Sequence, residues 1–284
     1  TERLELIGRE RPLFVDDYDR VRRDPDIREK RILVVGGAGS IGSTVVEELA
    51  RIPVDRLHVL DINENGLADL VRQIRSSLNT VPQDFKTICY DPLDDGMDQL
   101  IRLYGPYDAL LNFAAVKHVR SEKDPFTLSR MVKVNILLMK RLTELVDTFD
   151  IQTVFSVSTD KAANPANLMG ASKRLMEMVG FAYGDGRFSS ARFANVAFSN
   201  GSLLNAFRDR FDRRQPIAAP RDTKRFFITH TEAARLCLAH AFSGPKKSIA
   251  IPNAADEIKL TSFVDVAERF LASRGYTPAS CEGE

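Results

Sequence analysis

Thr159, Asp160 and Lys161 stand in a row, and Met169 and Lys173 follow them one helical turn apart. A hydroxyl, a carboxyl and an amine side by side can hold, donate and accept protons on one substrate. Residues four apart share a helix face, so Met169 and Lys173 point the same way. A thioether exchanges no proton, which leaves that work to the other four side chains. Two plainer readings stay open. Asp160 and Lys161 could form a surface turn with Asn164 and Pro165, and Lys173 with Arg174 could be a solvated helix face.

The elements that must position these residues are legible from Lys30 onward, where apolar β-rich runs alternate with amphipathic segments. The pattern predicts strands over 31–35, 56–60, 85–90, 109–113, 153–158 and 188–193. It predicts helices over 41–51, 64–77, 96–104, 125–149 and 168–183. Strands alternating with crossover helices make an α/β fold, a Rossmann-type doubly wound parallel sheet, spanning 30–194. Thr159 to Lys161 then follow the fifth strand at its carboxyl end, the side on which open α/β sheets bind ligands.

After Asn195 the alternation loosens and Pro216, Pro220, Pro245 and Pro252 punctuate short elements. Residues 195–284 therefore read as a smaller C-terminal substrate-binding lobe, interleaved with the sheet. Residues 1–29 are charged and weakly periodic, which predicts a surface lead-in arm with Leu13 and Phe14 docking on the main domain.

A second constellation opens the sheet domain. In RILVVGGAGSIG, Gly36, Gly39 and Gly42 follow a strand and lead into a helix through Ser40 and Ile41. Glycines there allow a tight turn, backbone approach to a pyrophosphate and close helix packing, and a helix N-terminus favours negative charge. Asp61 ends the second strand, where a carboxylate can accept both ribose hydroxyls of an adenosine. An acid there repels a 2′-phosphate, so the expected cofactor is NAD, with NADP left open. Ala114 and Ala115 end the fourth strand with small side chains that let backbone lie against a cofactor. An ordinary strand-to-helix turn and a buried strand end would explain the same glycines and alanines.

Composition sets the outer bounds. The 284 residues are 44% hydrophobic with a net charge of +1, which gives no electrostatic push toward nucleic acid or a membrane surface. Cys89, Cys237 and Cys281 lack CxxC spacing, against a disulfide framework or zinc site and in favour of a reducing, cytoplasmic setting. No apolar run approaches the roughly 20 residues needed to cross a bilayer. The chain opens without methionine and stops after a helix-like segment, so a longer native protein is expected.

LIGRE, LNFAAVKHV, NPANLMGASKR, RFANV and TKRFFIT occur in that order along the chain. Together they resemble the nucleotide-sugar 4,6-dehydratases of the extended short-chain dehydrogenase/reductase superfamily, in the polysaccharide-biosynthesis branch acting on UDP-N-acetylglucosamine. The resemblance implies a lyase that oxidises the sugar at C4, eliminates the C6 hydroxyl and reduces C6 with one nicotinamide cofactor. It implies that Asp160 protonates the departing C6 hydroxyl, that Lys161 takes the C5 proton and that Lys173 reaches the nicotinamide ribose.

The resemblance also implies substrate contacts from Lys117, His118, Asn195, Ser199, Gly201 and Arg225. Where relatives read GSRGS this chain reads FSNGS, so Asn200 removes one cation. His118 could instead be a hydrogen-bonded histidine without a ligand, and Arg208, Arg210, Arg213 and Arg214 read as a solvated helix face. By analogy the chain is a homo-oligomer, and a membrane-anchored N-terminal extension would place it at the cytoplasmic face of a membrane.

Met169 occupies the place where many relatives carry tyrosine. Three readings follow: a dehydratase subgroup in which a Ser/Thr hydroxyl, foremost Thr159, a water or the aspartate takes the C4 hydroxyl proton; an inactive cofactor binder; or a misplaced motif. The methionine form resembles dehydratases that retain configuration at C5. A UDP-sugar 4-epimerase and a silent dinucleotide-binding protein stand as the rival functions.

Overall fold

The computed structural model describes residues 2–77, 81–199, 201–252 and 259–279. The chain divides into two compact units. The sheet unit takes Phe14–Phe193 and Ala234–Ile251, and the small unit takes Thr1–Leu13, Ala194–Ala233 and Pro252–Glu284.

In the sheet unit the strands are β1 (Arg31–Val35), β2 (Arg56–Asp61), β3 (Asp84–Cys89), β4 (Ala109–Asn112), β5 (Thr153–Val157) and β6 (Phe188–Ala191). In the small unit follow β7 (Asn195–Val196), β8 (Lys224–Arg225) and β9 (Phe227–Ile228). The chain then returns to the sheet as β10 (Ile249–Ala250) and ends in the small unit with β11 (Thr261–Ser262). The central sheet has seven strands in the order β10-β6-β5-β4-β1-β2-β3, and its neighbours pair in parallel. This is one strand more than the sequence predicts. Two residues are too short for any periodicity to register, so β10 has no signal of its own.

The strand sequences explain the sheet. RILVV, ALLN, TVFSV and FSSA are buried along almost their whole length, as parallel strands covered on both faces must be. The edge strand β3, DFKTIC, is only half covered and carries the polar residues that an edge tolerates.

Helices α1 (Glu2–Leu6), α2 (Val15–Arg23), α3 (Ser40–Ala50), α4 (Glu64–Ser77), α5 (Met97–Tyr104), α6 (Pro125–Val132), α7 (Leu138–Thr148) and α8 (Leu168–Tyr183) precede α9 (Leu203–Asp212), α10 (His230–Ser243) and α11 (Phe263–Ala272). Among the described residues no helix is long and apolar enough to cross a membrane. The single helix predicted over 125–149 is two, α6 and α7, joined by a π-helical turn at Lys133–Leu137. Such turns are often built at functional sites.

The predicted surface arm needs correction. Leu4, Leu6 and Ile7 are buried in a core with Phe198, Phe207, Phe263 and Phe270, and Leu13 is buried as well. Glu232 explains part of this order. Its buried carboxylate accepts from the Thr229 and Leu13 amides and pairs with Arg9, while the Glu232 amide donates to the Thr229 hydroxyl. That is a capping box on α10 which also holds the N-terminal segment.

Candidate active site

The carboxyl ends of β1, β2, β4 and β5 gather most of the predicted residues within the sheet unit. At β1 the chain turns through Gly36, whose φ of +77° favours glycine. A Cβ at Gly36 would lie 2.3 Å from the Ala114 amide nitrogen, and one at Gly42 would lie 2.2 Å from the Gly36 carbonyl oxygen. The turn, the end of β4 and the first turn of α3 therefore touch backbone to backbone, and Gly39 caps α3, with Ser40 and Ile41 in its first turn. This cradle exposes helix amides at close range and fits the pyrophosphate of a dinucleotide.

Asp61 closes the adjoining end of β2. Its carboxylate accepts from the Ala38 amide at 2.8 Å and from the Asn63 amide at 2.9 Å. A carboxylate has about four lone-pair sites, so two remain for ribose hydroxyls. Two further residues support this cradle. Gly37 packs so closely that a Cβ would meet the Val59 side chain at 2.2 Å. Asn112 donates to the Ser156 hydroxyl at 3.0 Å and accepts from the Ala114 amide at 3.1 Å, which fixes the end of β4 on β5.

Beyond β5, Thr159 caps the short 3-10 turn Asp160–Ala162. Its hydroxyl donates to Asp160 Oδ1 at 3.0 Å, and Lys161 Nζ lies 3.3 Å from the same oxygen. The Asp160 and Lys161 side chains are about half exposed, at 48% and 40%. The two side chains are thus paired but not deeply buried.

Helix α8 begins directly over this turn. Asn167 caps it through the Gly170 amide at 2.8 Å, and the Leu168 amide donates to Glu122. A Cβ at Gly170 would lie 2.8 Å from the Lys161 carbonyl oxygen. Glycine thus lets the helix seat against the backbone that carries Lys161. Met169 and Lys173, one turn apart on α8, are both buried.

Lys173 Nζ donates to the Val157 carbonyl at 2.9 Å and lies 3.6 Å from Met176 Sδ. Burial pulls its ammonium down to about 8, while the Glu177 carboxylate pulls in the opposite direction. Lys173 is therefore not part of a solvated face.

Asn135 is another residue the sequence reading passed over. Buried on the π-helical turn, it accepts from the Val116 amide at 3.0 Å and donates to the Val116 carbonyl at 3.0 Å. It also donates to the Ser172 hydroxyl at 2.8 Å. One side chain thus pins the segment 114–118 to α8, with Ala114 and Ala115 partly covered and Lys117 and His118 exposed at its end. A lone asparagine inside an apolar helix pattern was the available signal.

The remaining predicted residues belong to the small unit. Asn195 opens β7, which pairs in parallel with β9. Ser199 shapes the approach to α9, accepting from the Ser202 amide at 2.9 Å, and Gly201 has a φ of +72°. Arg225 is exposed on β8, opposite Thr261 of β11. Asn200 and Cys281 lie outside the described residues.

A model of the polysaccharide biosynthesis protein family matches residues 32–283. Over 264 residues the chain is 31% identical to an uncharacterized membrane protein of Methanocaldococcus jannaschii, covering 90% of this chain and 76% of that one. It is 30% identical to the probable polysaccharide biosynthesis protein EpsC of Bacillus subtilis, covering 96% of this chain but 45% of the relative, so it spans about half of that protein. Among solved structures, the dTDP-glucose 4,6-dehydratase DesIV of Streptomyces venezuelae, a double mutant solved with NAD bound, superposes with a TM-score of 0.73. It shares 21% identity over 86% of this chain and 81% of its own, a likeness of fold.

Proposed function

The chain belongs to the polysaccharide biosynthesis protein family, and from that membership and the geometry at β5 we propose that it is an NAD-dependent sugar-nucleotide 4,6-dehydratase. Its substrate in this reading is a UDP-amino sugar, foremost UDP-N-acetylglucosamine, and its product a 4-keto-6-deoxy sugar nucleotide for surface glycans. The carrying observation is the trio of Thr159, Asp160 and Lys161, bonded to one another and open to solvent beside the buried Lys173. A 4-epimerase needs one acid-base group at the C4 hydroxyl, whereas dehydration also needs a base at C5 and an acid at the C6 hydroxyl.

The cradle of Gly36, Gly39 and Gly42 takes the pyrophosphate, Asp61 accepts the adenosine ribose hydroxyls and disfavours a 2′-phosphate, and Lys173 holds the nicotinamide ribose. When bound, the cofactor supplies a hydride acceptor that returns the hydride within the same turnover.

Thr159 Oγ1 takes the C4 hydroxyl proton as its own passes to Asp160, toward which it is already directed at 3.0 Å. Asp160 then delivers that proton to the C6 hydroxyl, which leaves as water. Lys161 Nζ, acting as the neutral amine, takes the C5 proton and later returns it. The proton inventory closes without a tyrosine, which gives Met169 a place in an active enzyme. The resemblance assigns nucleotide-sugar contacts to Lys117, His118, Asn195, Ser199, Gly201 and Arg225, and the planar fork of Arg225 suits a diphosphate.

The test is incubation with UDP-N-acetylglucosamine and NAD in deuterated water, followed by NMR. The reading expects a 4-keto-6-deoxy product with deuterium at C5. UDP-N-acetylgalactosamine without a keto species would mean an epimerase, and unchanged sugar without C5 exchange would mean a silent binder.

A further inference from the structure

Glu177 follows Lys173 by one turn on α8 and is 1% exposed. Three elements close on its carboxylate. Ser158, at the end of β5, donates its hydroxyl to Oε1 at 2.6 Å. Arg192, just after β6, donates from Nε to Oε1 at 2.8 Å and from its terminal nitrogen to Oε2. Arg174, on α8 itself, lies 3.8 Å from Oε2. Among the described residues the charged groups around this carboxylate are thus Arg192, Arg174 and Lys173, with the Ser158 hydroxyl from β5.

The count of charges is informative. Lys173 and Arg192 are buried cations, and Glu177 is the buried anion beside them. A glutamine of the same shape could still accept from Ser158 and from Arg192 Nε at its one oxygen, but its amide nitrogen would face the terminal nitrogen of Arg192 and two buried cations would be left without a counter-charge. Lys173 has no carboxylate bonded to its ammonium; its partners are the Val157 carbonyl and Met176 Sδ.

We propose that Glu177 is a positioning residue which fixes the end of β5 through Ser158 and Arg192 and, by its charge, keeps Lys173 an ammonium across the pH range in which the chain holds its cofactor. The proposal rests on the reading that Lys173 holds the cofactor ribose. Burial already brings the Lys173 ammonium to about 8 against the upward pull of Glu177, so losing that pull moves proton release to lower pH.

NAD affinity of the full chain, measured by calorimetry from pH 6 to 10 without sugar substrate, tests this apart from turnover. Wild-type affinity stays level at low pH and falls above about 8. In Glu177→Gln the fall begins about one pH unit earlier, so affinity is near wild type at pH 6 and down about tenfold at pH 8. In Glu177→Asp, which keeps the charge, the fall stays at the wild-type pH, with affinity lowered uniformly.

A Glu177→Gln profile that weakens by one factor at every pH overturns the proposal, because a merely structural side chain would act that way. Should the glutamine variant not fold, an aspartate variant whose fall moves to lower pH overturns it. So does a wild-type profile that is level from pH 6 to 10. No NAD binding by the wild-type chain at any pH defeats the cofactor reading first and this proposal with it.

Discussion

The Thr159 hydroxyl donates to Asp160 Oδ1 at 3.0 Å, and Lys161 Nζ approaches the same oxygen at 3.3 Å. One carboxylate oxygen thus joins the hydroxyl and the amine, and substitutions on either side of it should have different signatures.

Thr159→Val removes the hydroxyl and keeps the side-chain volume. General acid-base groups contribute about 10²–10⁴-fold, so hydride transfer from C4 should slow by at least about 10². NAD affinity should stay at the wild-type value. Single-turnover absorbance of the reduced nicotinamide checks the rate, and an unchanged rate would remove Thr159 from the proton route.

Lys161→Ala should abolish dehydration and leave NAD bound, because in the proposed reading the amine serves the sugar and not the ribose. Deuterium exchange at C5 should disappear with it. Loss of NAD binding in a folded variant would count against this role.

How much of this was legible in the sequence depends on the size of the signal. β1 to β6 showed because runs of four to six residues between turn signals leave a pattern, whereas β10 has two residues and left none. The glycine turn was legible because close backbone contact demands glycine at fixed spacing, as the positions of Gly36 and Gly42 against Ala114 and Gly36 bear out. Glu177 and Asn135 were passed over because a buried polar side chain looks like any exposed one until its partners are known. Those partners, Arg192 and Val116, come from other elements. The burial of Leu4, Leu6 and Ile7 was illegible for a similar reason, since their neighbours Phe263 and Phe270 lie at the other end of the chain.

Asn135→Ala should destabilise the protein. It strands the amide and carbonyl of Val116 and leaves Ser172 with one partner fewer, and an unpaired buried group costs about 1–3 kcal/mol. Denaturant unfolding should show a loss of about 2–4 kcal/mol. Amide hydrogen exchange should show faster opening of 114–118 than of α8.

Lys173→Met should stabilise the cofactor-free protein while abolishing NAD binding. The folded ammonium releases its proton at about 8 against an ordinary value of 10.5, so below pH 8 the folded state carries the full cost of a buried charge. That cost is about 3 kcal/mol, of which about 1 kcal/mol is offset by the bond to Val157 that the variant loses. Between pH 8 and 10.5 the unfolded chain holds the proton that the folded chain has released, so wild-type stability rises with pH and the advantage of the variant shrinks. Urea unfolding at pH 7 and at pH 10 should give a gain of about 2 kcal/mol at the first and little at the second. Equal stabilities at pH 7 would mean that Lys173 is not held as a buried charge.

The core that unites Leu4, Leu6 and Ile7 with Phe263, Val266 and Phe270 sets an order of events during synthesis. At about 5–20 residues per second, the ribosome needs roughly 13–50 s between making α1 and making α11. Until α11 is made the apolar face of α1 lacks its Phe263, Val266 and Phe270 neighbours, although Phe198, Phe207 and every strand of the central sheet have by then been made. The small unit is thus the last to be completed, and a nascent chain halted before residue 263 leaves Leu4, Leu6 and Ile7 with only part of their core.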